Sequence, residues 1–488
     1  MCYVFDTKAD EKDPPALAGL PYLGAMRSSL VIFMLLGLFK LHATVWQVGN
    51  GSIYSMPSQV STLVQDGDTV DIAAGTYPSD VARWTANDLL LRGIGGLAHL
   101  ESNGMAWGDK AIWVIQGDRT IVEWIEFSEC TVPDQNGAGI RQEGHDLIVR
   151  HCYFHDNENG ILAGTINPST IVIEFSEFDH NGAGDGYSHN LYINNIDTLI
   201  FRYNYSHHAV VGHELKSRAH VNIIEYNRFS NEATGTASRE IDLPNGGQAY
   251  LIGNVIQQGV QGQNSNLIGY GLEGLNNTGP HELYAINNTL LNEKNTGSFF
   301  SVASENVFFK AYNNILAGAG NVMAGSWPAA IDTVGNYRSS VIADAGFADV
   351  AAYDLRIIPG SPAQDFGSAA GISTSGYPLI AQDEYVHPAD MAPRCLQQPI
   401  DAGAFETCTT AIERNDDQIS VCPQLLYRNG NMELMNANGS EVIEIMDLDG
   451  RMIAIGNLDR HWNFDQWIVI YRITRQDGSV CTGKMLVD

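Results

Sequence analysis

Three short segments place unlike ionisable groups at matching positions: HNLYIN over 189–194, HELKSR over 213–218 and REIDLP over 239–244. Each opens on a cationic or ring-nitrogen residue (His189, His213, Arg239), followed by an amide or carboxylate (Asn190, Glu214, Glu240). An apolar residue comes next (Leu191, Leu215, Ile241), and then Tyr192, Lys216 or Asp242, with Arg218 closing the second segment. Lysine, tyrosine and histidine can take up a proton, arginine can hold an anion, and the oxygen donors can hold a hard cation. The set suits proton transfer beside a negatively charged group, provided that something stacks the segments.

A repeat supplies the stacking. The stretches LIFRYNYSH, IIEYNRFSN, YLIGNVIQQ, YAINNTLLN and FKAYNNILA share one pattern of apolar strand, asparagine, apolar pair and polar turn, and LIVRHCYFH and IVIEFSEFD are weaker copies. The aligned residues are Asn204, Asn227, Asn254, Asn288 and Asn314. Such units alternate with the period of strands and cannot bury an apolar face alone, so they must stack as coils, with the asparagines in a ladder inside one turn. In stacked coils about 4.8 Å apart, Leu191, Leu215 and Ile241 form one inward column. The alternation then predicts two solvent-facing columns, Asn190–Glu214–Glu240 and Tyr192–Lys216–Asp242. Stacked Glu214 and Glu240 would repel one another unless a cation, Ca²⁺ or Lys216, sat between them. The following segment SNLIGYGLEG is expected to add Tyr270 and Glu273 as a wall beside this face, and His208 lies close enough in sequence to join the histidines.

Composition narrows the partners. Acidic residues outnumber basic ones 56 to 27, for a formal charge of -29. A surface of that sign disfavours nucleic acid, and an acidic ligand needs cations gathered locally. From Met26 a basic residue, an apolar run Leu30–Phe39 and small Ala43 read as a signal peptide behind an upstream extension, so 1–43 is expected to be removed. Six cysteines lie beyond this leader. Cys130 and Cys152 are either a bridge between adjacent coils or two buried thiols; Cys395 with Cys408 and Cys422 with Cys481 are plausible further pairs.

On the repeat and its asparagines the chain resembles the right-handed parallel β-helix proteins of the pectate-lyase-like superfamily over 44–406, with LVQDGDTVDIAAGTY (63–77) similar to their opening coil and YDLRIIPGSPAQDFG (353–367) to their closing segment. The fold class expected is all-β: a parallel β-helix, a linker over 407–430 and a small antiparallel β-sandwich over 431–488. That last stretch, with IEIMDLDGRMI and YRITRQDG before GKMLVD, resembles the C-terminal sorting domain of the type IX secretion system; a carbohydrate-binding sandwich is the other reading. The sorting resemblance implies a protein exported through the periplasm, secreted or held at the cell surface, with the secretion machinery as a partner.

The LKS strand and the SREIDLPNGG stretch one coil on resemble the alginate lyase and chondroitinase B group. This resemblance implies an acidic polysaccharide substrate and a monomeric lyase in which Lys216 removes the proton beside a uronate carboxylate and Arg239 assists the leaving oxygen. It also implies Ca²⁺ on Asn190 and Glu214, with Glu240 or Asp242 recruited because the family's two glutamate positions are Ala209 and Val211 here. Tyr192 with His213 remains an alternative proton acceptor, and His189, Arg218, His208, Tyr270 and Glu273 are the expected substrate contacts. A glycoside hydrolase, a uronate epimerase or a non-catalytic glycan binder would use the same face differently.

Overall fold

The computed structural model describes residues 43–395 and 398–407, together with strands within 424–486. The chain divides after Thr407 into two compact units. In the first, the central coils each contribute three short strands. One coil runs Thr198–Arg202, Tyr205–His207 and Leu215–Ser217, and the next runs Val221–Glu225, Arg228–Ser230 and Ile241–Leu243. Corresponding strands pair in parallel, Thr198 with Val221, Tyr205 with Arg228 and Leu215 with Ile241. The third strands alone make a ten-stranded parallel sheet. The architecture is the expected right-handed parallel β-helix.

Its shape follows from what each position can bury. Inward residues such as Leu191, Leu215, Ile241 and Ile268 are fully buried in a single column. Phe127, Phe154 and Phe178 stack at 4.9 Å between successive rings inside the same core. Between first and second strands the chain bends through one left-handed residue, for example Tyr203 (φ 59°), Tyr226 (φ 55°) or Gly253 (φ 66°). The next residue is the ladder asparagine. Asn227 shows the pattern: its Oδ1 accepts from the Asn204 backbone N–H at 2.9 Å, and its Nδ2 donates to the Phe201 carbonyl at 2.8 Å. Asn204, Asn227, Asn254, Asn288 and Asn314 all make these bonds and all are fully buried, so the expected ladder is present. A side-chain amide is needed there because the bend leaves backbone groups that no strand partner reaches.

The ends are also as expected. Thr69–Thr76 lies between Val45–Val48 and Leu90–Glu101 in the opening coils. At the other end Asp354–Ile357 pairs antiparallel with Phe347–Asp349, and Leu355, Ile357 and Ala363 close the core. From there the chain runs back over the tyrosine-rich corner, where Tyr377 Oη donates to Glu225 at 2.6 Å and Tyr203 Oη to Asp383 at 2.8 Å.

Cys130 and Cys152 are free thiols in the core, pushed by burial up to about 12, so no disulfide joins those coils. Cys395 is disulfide-bonded; Cys408 and Cys422, and the side chain of Cys481, lie outside the described residues, as does the leader up to residue 42. In the second unit Gln424–Arg428 forms a hairpin with Asn431–Met435, and its first strand falls inside the stretch expected as linker. Val442–Met446 sits between Met452–Gly456 and Ile468–Thr474, with Val480–Leu486 beyond, all antiparallel.

Candidate active site

The two columns predicted to face solvent have different fates. Tyr192, Lys216 and Asp242 are strict register partners on adjacent third strands, and they line the outer face of that sheet. Asn190, Glu214 and Glu240 sit two residues earlier, at the strand start, and are fully buried. The corner arriving from the second strand closes over them. Glu214 Oε1 accepts from the Ala209 backbone N–H at 3.1 Å, while its Oε2 meets Asn190 Nδ2 at 2.5 Å and Ser206 Oγ at 3.1 Å. Asn190 also donates to the His207 carbonyl at 2.9 Å and accepts from Asn181 Nδ2 at 3.0 Å. Asn181 in turn accepts from Asn157. A second buried polar ladder therefore runs Asn157–Asn181–Asn190–Glu214 down this corner.

The corrections to the expected calcium set follow directly. Burial pushes Glu214 up to about 8, against the bonds from Ala209, Ser206 and Asn190, and pushes Glu240 well above the usual carboxylate range. Glu240 Oε1 accepts from Asn231 Nδ2 at 2.8 Å, and its Oε2 is buried without a hydrogen-bond partner. Both Glu214 oxygens and Asn190 Oδ1 already accept hydrogen bonds from the protein, so of these three residues only Glu240 Oε2 is left open to a cation. Nor can Glu214 orient Lys216, since its carboxyl points into the corner.

On the outer face the charges form one network. Lys216 Nζ lies 3.0 Å from Glu273 Oε1 and 3.8 Å from Asp242 Oδ2. Arg218 holds the other Glu273 oxygen at 2.6 Å, donates to Tyr192 Oη at 3.0 Å, and donates to Asn245 Oδ1 at 2.6 Å. Arg239 Nη1 holds Asp242 Oδ1 at 3.1 Å. Asp242 has little exposure, and burial raises it while Arg239 and Lys216 pull it back. Burial also acts upward on Glu273, but hydrogen bonds from Arg218 and Lys216 and their charges hold it below the usual range. Its side chain is 47% exposed, so water or a ligand can replace it.

The two histidines beside this network are committed by their backbone contacts. His189 Nδ1 accepts from the His213 backbone N–H at 3.0 Å, and His213 Nδ1 accepts from the Arg239 backbone N–H at 3.2 Å. A backbone N–H can only donate, so each neutral ring carries its proton on Nε2. The rings stack at 4.8 Å, and His213 Nε2 lies 3.6 Å from Asp242. Burial pushes His189 down to about 3 and His213 well below the usual imidazole range. Neither ring has a free lone pair with which to take a proton. That removes His213 as a proton acceptor and leaves both as neutral donors and spacers.

Two other expectations also fail. Tyr270 is fully buried, its hydroxyl donating to the Gly247 carbonyl at 2.5 Å, because its strand position faces inward beside Leu243. His208 belongs to a different cluster, with His207 at the preceding corner. Two participants went unrecognised in the sequence. Asn245 was signalled only by its place just after REIDLP. Gly269 is the register partner of Asp242, and a Cβ there would come 2.6 Å from Asp242 Oδ1. The glycine leaves room for the Arg239–Asp242 pair.

With this geometry in view, the comparisons agree on fold. A family model described as the right handed beta helix region matches residues 95–256. The crystal structure of pectate lyase Pel9A is similar with a TM-score of 0.51 and 14% identity, covering 75% of this chain and 96% of that one. No curated protein matches the sequence. The chain has the right-handed parallel β-helix fold that it shares with that structure.

Proposed function

We propose that the protein is a polysaccharide lyase that cleaves a uronate-containing polymer by β-elimination on the Tyr192–Lys216–Asp242 face. One observation carries this reading: in a chain of net charge -29, Lys216 and Arg218 converge on a single exposed carboxylate, Glu273. A pair of cations presented to one displaceable carboxylate suits a sugar acid, whose carboxylate must be neutralised as its α-proton leaves.

In the proposed step a uronate carboxylate displaces Glu273 and is held by Arg218. Lys216 removes the proton at C5, and the C–H electrons form the C4–C5 double bond. The C4–oxygen bond breaks, and the leaving oxygen takes up that same proton, relayed by water from the Lys216 ammonium, in a site that Arg239, steadied by Asp242, lines with positive charge. Tyr192 is the alternative proton acceptor, since its oxygen already accepts from Arg218. The inverting-hydrolase reading loses support, because Glu214 and Glu240, the carboxylates it would draft, are buried and hydrogen-bonded. Export and surface retention through 431–488 belong to the same proposal, and deleting that segment should trap the enzyme in the producing cell.

The test is a panel of alginate, pectate and glycosaminoglycans, followed by the ultraviolet absorbance of the unsaturated sugar end. Absorbance growing on one polymer, and lost in Lys216→Ala, supports the reading. New reducing ends without that absorbance would establish a hydrolase, and no cleavage of any polymer would end the lyase proposal.

A further inference from the structure

The corner between second and third strands carries a cluster that the proposed reaction does not use. Its residues come in pairs from successive coils, Asp179–His180 and His207–His208. Asp179 and His207 are register partners at the ends of adjacent second strands. His180 (φ 50°) and His208 (φ 53°) are the left-handed residues that follow, so the backbone repeats and the two imidazoles stack at 4.8 Å. Asp179, His180 and His208 offer ligand atoms all within 4.8 Å of one another, and His207 Nδ1 lies beside two of them. Asp179 Oδ1 lies 3.1 Å from His207 Nδ1 and 3.9 Å from His208 Nδ1, and it is in direct contact with His180 Nδ1. His207 Nδ1 and His208 Nδ1 are 2.7 Å apart.

Two nitrogens at that distance share at most one proton, so at least one of them presents a lone pair. On the far side of His207, Nε2 lies 3.0 Å from Glu177 Oε1. A carboxylate there accepts the Nε2 proton and directs the Nδ1 lone pair inward, the outer-shell arrangement that orients metal-bound imidazoles.

We infer that Asp179, His180, His207 and His208 form a transition-metal site of the Zn²⁺ class that staples two adjacent coils at this corner. Metal–ligand bonds of about 2.0–2.1 Å in a tetrahedron require ligand atoms roughly 3.3 Å apart, close to the separations here. Three imidazoles and one carboxylate select Zn²⁺, Co²⁺, Cu²⁺ or Ni²⁺ over Ca²⁺. Four protein ligands leave no open position, so the role is structural. The next residue, Ala209, donates its N–H to Glu214, so the staple would also hold the corner shut over the buried acid. A second three-membered cluster is formed by His99, Glu126 and His155. There His155 Nε2 contacts Glu126 and its Nδ1 contacts Asp156, while His99 Nε2 contacts Ser128.

The experiment is titration of the chelator-treated full-length chain with Co²⁺, read by visible absorption, and with Zn²⁺, read by thermal unfolding. One Co²⁺ per chain with the intense bands of a tetrahedral site is expected, and Zn²⁺, but not Ca²⁺, should raise the unfolding midpoint. His208→Asn, whose side chain tolerates the left-handed backbone, should weaken binding at least a hundredfold, and Glu177→Gln about tenfold. His99→Ala should change neither. Circular dichroism of metal-free His208→Asn separates lost binding from lost folding, and Glu177→Gln tests the site without removing a ligand. Absence of binding, weak octahedral bands, or binding that survives His208→Asn and disappears in His99→Ala would overturn the assignment.

Discussion

Two columns of side chains, Asn190–Glu214–Glu240 and Tyr192–Lys216–Asp242, lie on the same side of the same three strands, two residues apart. One is interior and largely neutral; the other is an open, charged surface. Strand alternation treats them alike, because residues i and i+2 share a face. What separates them is the corner. Ser206, His207 and Ala209 fold across the strand start and supply hydrogen bonds there, whereas the middle of the strand receives no such cover. A carboxylate thus acts as structure at one position and belongs to the charged network two positions on.

The largest expected effect breaks the open column. Lys216→Ala should lower lyase turnover by about a thousandfold, the scale of a lost general base, and shift stability by only about 1 kcal/mol, because its close partner Glu273 is half exposed. Steady-state kinetics alongside urea unfolding checks both halves. If Lys216→Ala keeps its turnover while Tyr192→Phe loses it, the proton acceptor is the tyrosine.

Breaking the buried column should do the reverse. Glu214→Ala strands the Ala209 N–H and the Asn190 amide, and should cost on the order of 3 kcal/mol. The surviving folded fraction should retain most of its specific activity. Asn227→Ala in the other corner should cost a similar amount, and a loss below about 0.5 kcal/mol would remove the ladder's structural role.

The buried acids also set a pH dependence. Glu214 is raised from an ordinary 4.5 to about 8, so between those values the folded chain keeps a proton that the unfolded chain has released. Its contribution is fully present below pH 4.5 and is lost as pH rises towards about 8, on the order of a few kcal/mol in sum with Glu240. The unfolding midpoint should therefore fall across that interval. Glu240→Gln should flatten part of the fall, and a midpoint that rises instead would contradict the neutral pair.

The smallest effect sharpens the open face. Glu273→Gln should free Lys216 and Arg218 for an incoming carboxylate, lowering KM several-fold with kcat within about twofold. An increase in KM would show that Glu273 binds substrate rather than standing in its place.

The solenoid was legible because its signal is repeated. Each asparagine from Asn204 to Asn314 restates the same corner, and one misread coil would be corrected by its neighbours. The open column was legible for the same reason, since HNLYIN, HELKSR and REIDLP align on Leu191, Leu215 and Ile241. The ladder Asn157–Asn181–Asn190–Glu214 was not, because Asn181 and Asn190 are separated by a loop while Asn190 and Glu214 come from different coils. Tyr270 failed through phase: it follows an inward residue by two and is itself inward.

By itself the sequence determined that coils stack, where their corners fall, and that lysine and arginine meet carboxylates on one strand face. Those properties depend on local alternation and on residue type. Only the tertiary structure decided which polar groups are wet. The loop lengths between strands place a corner over Glu214 and leave Lys216 uncovered. They also bring Glu273 back across two coils to the cations. The backbone N–H facing each Nδ1 of His189 and His213 is likewise a matter of how coils are set against each other. Hydration and protonation depend on what closes over a group in space, and residue type and spacing do not carry that information.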